Sequence, residues 1–348
     1  MSLATSADVN PTRHPDTTIE ARFQRSYMAR RAYKDDVQMP PATMGVKGAI
    51  DIHCHCHEGQ QDALAVAKHA SASGMSAILY KTLPGRARPM NTLRPIQEAL
   101  QTWCEEHEVE PVKTFAAWNI GQKLGQLASA ADVSEQIDDG VRAIWMPNNT
   151  HANSFMLTPN RAMLERAGKP GDVPDSIPWE VARDAGGNYL LGDDKKLLPG
   201  VKDVFKVIAE RDTCVVFGHA THPEIFEMAE QVKALGISKA VIDHPFSPFV
   251  ALSVEQMAEL GSAGMFLNFT YDEISPLLGL NPATMADAIK RIGPEHCTLS
   301  SDCGEPLFPN SVEAIRQMRA YMRAFGLTAE EIERTSHANP AHIVGLPA

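Results

Sequence analysis

Eight short apolar runs recur from residue 47 onward, separated by amphipathic stretches. They fall at residues 49–54 (AIDIHC), 76–81 (SAILYK), 112–118 (VKTFAAW), 141–146 (VRAIWM), 213–219 (TCVVFGH), 239–244 (KAVIDH), 265–270 (MFLNFT) and 297–302 (CTLSSD). Runs of this length suit strands buried on both faces, as parallel sheets require. Helix-start signals lie between them. Ser253 with Gln256 and Thr328 with Glu331 match a capping box, Asn281 precedes a Pro at the first helical position, and Asn310 precedes Glu313. Eight strand–helix units in succession predict a closed (β/α)8 barrel of the TIM type, which takes about 250 residues. A doubly wound open sheet is the alternative. No glycine-rich phosphate loop follows the first run, which weakens it.

Two segments break the rhythm. Residues 1–45 read as an N-terminal extension, with one helix expected from Ile19 to Lys34 that carries Arg22, Arg25, Arg30 and Arg31. The barrel then occupies 46–348. Between the fourth and fifth runs lie about fifty residues, 148–198, far beyond the roughly 2–6 of a normal strand-to-helix loop. Loops that follow barrel strands lie on the catalytic face, so this insert reads either as a lid or pocket wall or as a subunit contact.

Charge narrows the partners. With 43 acidic and 32 basic residues the net charge is -11, which gives no general attraction for phosphate backbones and argues against nucleic acid. No stretch approaches the ~20 apolar residues of a membrane helix, and the first residues lack an apolar signal core, so a cytoplasmic location is expected. None of the six cysteines forms a C-x-x-C pair, consistent with reduced, buried thiols. The extension and the insert leave room for a homo-oligomer.

The chemistry sits at the strand ends. His53 and His55 close the first run, two residues apart, so both rings can face one centre while Cys54 and Cys56 face the wall. His219 closes the fifth run, His244 the sixth and Asp302 the eighth. In a barrel these ends converge on one pocket. Four imidazoles and a carboxylate form a donor set for a divalent metal, with zinc the default and manganese, iron, nickel or cobalt admissible. Lys81 ends the second run, and Arg86 and Arg88 follow it as candidate substrate-binding cations. His57, Glu58, His222, Glu224, Tyr271, Asp272, Glu273 and Glu305 read as loop or supporting residues. His14, His151 and the remaining histidines lack strand-end context and read as structural.

This pattern resembles the amidohydrolase superfamily, which carries HxH after strand 1, His after strands 5 and 6, and Asp after strand 8. The run Asn339-Pro340-Ala341 to Val344-Gly345-Leu346 is similar to that superfamily's final helix, so the resemblance spans roughly 47–346. It is closer still to a sparsely characterised amidohydrolase-like family. That family's motifs are matched by Asp51-His53-His55, Lys81, Trp145-Met146-Pro147, Gly218-His219, His244-Pro245 and Ser301-Asp302-Cys303-Gly304. One departure bears on metal count. Many binuclear members end strand 4 with a carboxylated Lys or a Glu, and this chain has Trp145-Met146-Pro147 there. Lys81 is the substitute, either as a carboxylated bridge or as an ammonium for a substrate anion.

The resemblance implies one or two divalent ions and hydrolysis of an ester, thioester, lactone or (cyclic) amide in a small anionic substrate. Asp302 would bind metal and shuttle the water proton, with Lys81 as a second catalytic candidate. His219 and His244 would hold a second ion, or His244 would contact substrate if there is one. A decarboxylase of the same superfamily and a non-catalytic metal-binding protein are the alternatives.

Overall fold

A computed structural model describes residues 45–57 and 59–347. The expected helix within 1–45, His14 and Glu58 lie outside the described residues. The eight strands are β1 Ile50–His55, β2 Ala77–Thr82, β3 Lys113–Asn119, β4 Ala143–Trp145, β5 Cys214–Phe217, β6 Ala240–Asp243, β7 Phe266–Thr270 and β8 Cys297–Ser300. They form one sheet in sequence order, and every neighbouring pair is parallel. Helices alternate with them, giving the (β/α)8 barrel that the apolar rhythm predicts.

The ring closes between its last strand and its first. Asp302 N donates to His53 O at 2.8 Å, and His55 N donates to Cys303 O at 2.9 Å. Asp51 ties the same seam, because its carboxylate accepts from Ser301 N at 3.0 Å and from the Ser301 hydroxyl at 2.6 Å. Burial pushes the Asp51 carboxyl up to about 6, although these hydrogen bonds pull the other way.

Two apolar layers follow from strand alternation. Ile50, Ile52, Leu79, Ala117, Trp145 and Val216 fill the barrel interior. The last helix, Asn339–Val344, adds Ala341, Ile343 and Val344 to that cluster and plugs the end where the strands begin. A larger cluster, including Cys54, Tyr80, Ile144, Phe217 and Leu299, lies between strands and helices. Cys54 and Cys56 are in that wall, their sulfurs 3.7 Å apart, and all six cysteines are free and buried.

The helix starts behave as their sequences dictate. Ser253–Gln256 and Thr328–Glu331 form capping boxes, and the side chains of Asn281 and Asn310 accept from first-turn amides. The insert is itself helical, with short helices Ala152–Leu157, Arg161–Arg166 and Trp179–Asp184 around a small core of Phe155, Met163, Leu164 and Ile177. A buried Glu224 pins it to the barrel, 3.2 Å from His151 Nε2 and accepting from Leu190 N at 2.8 Å. No helix of the described residues is long and apolar enough to cross a membrane.

A candidate metal centre at the barrel seam

His53, His55 and Asp302 meet where β1 joins the end of β8. His53 Nε2 lies 3.0 Å from His55 Nε2 and 2.9 Å from Asp302 Oδ1, and His55 Nε2 lies 3.0 Å from that same oxygen. The register of β1 against β2 shifts between Asp51 and Cys54 and again between Cys54 and His55. Gly304 permits the approach, since a Cβ there would sit 2.4 Å from His55 O.

Each histidine of the cluster is anchored from behind through Nδ1. His53 Nδ1 is 3.0 Å from Asp243 Oδ1, and His55 Nδ1 is 3.0 Å from Thr82 Oγ1. His219 Nδ1 is 2.8 Å from Ser154 Oγ, and His244 Nδ1 is 2.9 Å from Ser247 Oγ. Outer partners of this kind fix ring orientation and leave Nε2 for a ligand. The His219 and His244 rings lie 5.1 Å apart, and His244 is 6.0 Å from His53. His219, His244 and Asp302 all take positive φ, at 62°, 34° and 49°. Backbone strain of that sort costs on the order of 1–3 kcal/mol per residue and clusters at functional sites.

The electrostatics fit a cation. Two imidazole nitrogens and a carboxylate oxygen converge within about 3 Å, an arrangement whose lone pairs a cation would satisfy. Burial opposes charge on His53, but Asp243 and Asp302 outweigh it and push the ring up to about 9. Burial and the nearby charge of Lys81 push His55 down to about 3. Burial likewise holds His219 well below its usual value, helped by His244 and Lys81. For Asp302, burial raises the carboxyl, yet His53 and its hydrogen bonds bring it well below the usual range. Nitrogen and oxygen donors without thiolate suit zinc, manganese, iron, nickel or cobalt.

An inner polar layer supports His53. Asp243 accepts from Trp145 Nε1 at 3.1 Å and from Asn268 Nδ2 at 2.7 Å, and Asn268 Oδ1 accepts from the hydroxyls of Thr298 and Ser300. The strand-4 position thus supplies an indole donor, two bonds removed from the ligand, in place of a bridging carboxylate.

The other candidates separate. Lys81 lies over the Trp145 ring at 6.0 Å, and the Asn148 amide, with its oxygen turned toward Nζ, accepts from it at 2.8 Å. A cavity of about 140 Å³ beside His55 is lined by Lys81 and Arg86, with His57, Trp118 and Asn149 in its walls. Arg88 is not in that lining, because it starts the helix Pro89–His107 and pairs with Glu135 at 2.6 Å. Glu273 accepts from Phe246 N and Thr270 N and shapes the loops after β6 and β7. His222 contacts Val250 O, Glu305 accepts from Gln60, and Tyr271 donates to Gln317.

Sequence reasoning missed the supporting residues. Asp243 precedes His244 and its inward parity in β6 was the available signal. Thr82, Ser154, Ser247 and Asn268 carried none, since isolated hydroxyls and amides are common everywhere in a chain.

The profile of the family of unknown function DUF6282 matches residues 48–268, a span that holds His53, His55, Lys81, His219 and His244 and stops short of Asp302. No curated protein matches the chain. Among solved structures, an amidohydrolase from Pseudomonas aeruginosa superposes with a TM-score of 0.53 at 9% identity, over 86% of this chain and 95% of that one. The probable dipeptidase PvdM from Pseudomonas aeruginosa gives 0.51 at 12% identity, over 94% and 98%. A dihydroorotase gives 0.50 at 12% identity, over 87% and 84%. At such identities the likeness is one of fold. Since the profile spans more than half its length, the chain belongs to the family of unknown function DUF6282.

Proposed function

We propose that the protein is a metal-dependent hydrolase that cleaves an ester, thioester, lactone or amide bond in a small anionic substrate. The observation that carries this is the convergence of His53 Nε2, His55 Nε2 and Asp302 Oδ1 within 3.0 Å, at the strand-end face of the barrel. A divalent ion bound there supplies a water of lowered pKa and a Lewis acid for the substrate carbonyl.

The chain's own residues do the rest. His53 and His55 hold the ion, with Asp243 and Thr82 fixing their rings. Asp302 Oδ1 adjoins that position, is partly open to solvent at 12%, and accepts the proton of the attacking water. It then returns the proton to the leaving group. His219 and His244 either complete a second metal position or, in the case of His244, face the developing oxyanion. Lys81 and Arg86 make one side of the adjoining cavity positive, and no acidic side chain lines it among the described residues. That favours a substrate carrying an oxyanion.

Metal analysis of the purified protein should find one or two equivalents of a transition metal. A panel of esters, lactones and amides, assayed with and without chelator, should show chelator-sensitive hydrolysis. Carbon dioxide release from unsaturated acids without hydrolysis would replace the proposal with a decarboxylase. A metal-loaded protein inert on both panels would be a binding protein. Asp302→Asn should abolish turnover while the circular dichroism stays native, and near wild-type activity would remove Asp302 from the mechanism.

A further inference from the structure

The segment after β4 does more than wall the cavity. Ser154, in the helix Ala152–Leu157, is 2% exposed and touches two groups of the site. Its hydroxyl donates to Asn148 O at 2.7 Å and lies 2.8 Å from His219 Nδ1. A hydroxyl has one proton, and a carbonyl oxygen can only accept. With that proton committed to Asn148 O, Ser154 Oγ can only accept from the ring. His219 Nδ1 therefore carries a hydrogen, and Nε2 of the neutral ring is a lone pair. The neighbouring Asn153 adds a second hold, its Nδ2 donating to His219 O at 3.0 Å and to Phe249 O at 2.7 Å. Phe249 stacks on the His219 ring at 4.2 Å and 15°, so the plane is fixed as well as the tautomer.

We propose that Ser154 is a positioning residue that commits His219 to the Nδ1–H tautomer, so that Nε2 faces the centre as a metal ligand. This inference rests on the hydrolase proposal for its purpose, though not for its geometry. His244 is held differently. Ser247 Oγ meets His244 Nδ1 at 2.9 Å and has no second hydrogen-bond partner among the described residues. It can donate or accept, so this contact by itself does not select a tautomer of His244. The two histidines thus differ in whether the hydroxyl partner fixes the tautomer.

The test uses the full chain with nitrogen-labelled histidine, first metal-free. Two-bond nitrogen–proton correlations should show His219, assigned by its loss in His219→Gln, as the Nδ1–H tautomer. Finding it as Nε2–H in the wild type would overturn the proposal with no variant needed. Ser154→Ala should give a mixed tautomer and weaken zinc binding by about 10- to 100-fold in a competition titration, and Ser154→Thr should restore the Nδ1–H form. An unchanged tautomer in a natively folded Ser154→Ala protein would also overturn it. Should the wild type bind no metal yet show the tautomer and its loss on Ser154→Ala, the positioning role stands and the hydrolase proposal fails.

Discussion

A carboxylate, Asp243, holds the His53 ring from behind. Asp243 can only accept, so it draws the His53 proton to Nδ1 and leaves Nε2 for a cation. Asp243→Asn offers an amide that can donate instead, and it should lower metal affinity about 10- to 100-fold in a competition titration. The charge on His53 also sets a pH dependence. The metal-free folded protein keeps its proton until about pH 9, whereas an unperturbed histidine releases it near 6.5. Metal must displace that proton, so apparent affinity should climb with pH up to about 9 and then level off in a buffered titration. For the metal-free protein the sign is opposite. The raised value adds stability that is fully present below pH 6.5 and disappears as pH rises through 9, which denaturant melts across that window should show. At this scale the four histidines and Asp302 were legible from strand-end position. Their anchors were not, because Thr82, Ser154 and Ser247 gain meaning only from what lies opposite them in space.

Among the elements, the strands were the legible part. Each observed strand lies within two residues of its apolar run at either end, because double-sided burial imposes continuous hydrophobicity. The insert was not legible as helices. Its three helices are six residues each, too short for a periodic apolar face to emerge from the sequence. The β1–β8 seam depends on a glycine whose need shows only in three dimensions. Gly304→Ala places a methyl 2.4 Å from His55 O and 2.6 Å from His55 Cβ, contacts that backbone must relieve. It should destabilise the fold by about 1–3 kcal/mol, and metal affinity should fall with it, as thermal melts and zinc titration would show. Native values for both would mean that the seam tolerates a shift at His55.

For the molecule as a whole, metal and fold should be thermodynamically linked. The candidate site brings together His53 and His55 of β1 with Asp302 after β8, so the unfolded chain offers no comparable arrangement. At a metal concentration a thousandfold above the dissociation constant, binding adds about 4 kcal/mol to stability. Calorimetry should show the melting temperature rising with added zinc and falling with chelator. An unchanged midpoint would place any metal outside the folded core.

The seam carries one further consequence, for the order of events at the ribosome. His55 and Asp302 are separated by 247 residues along the chain yet share one contact. A growing polypeptide shows His53 and His55 early, when their partner Asp302 has not been made. Translation must pass Asp302 and clear the exit tunnel before the barrel can shut around an ion. An ion that met the chain earlier would find an incomplete site.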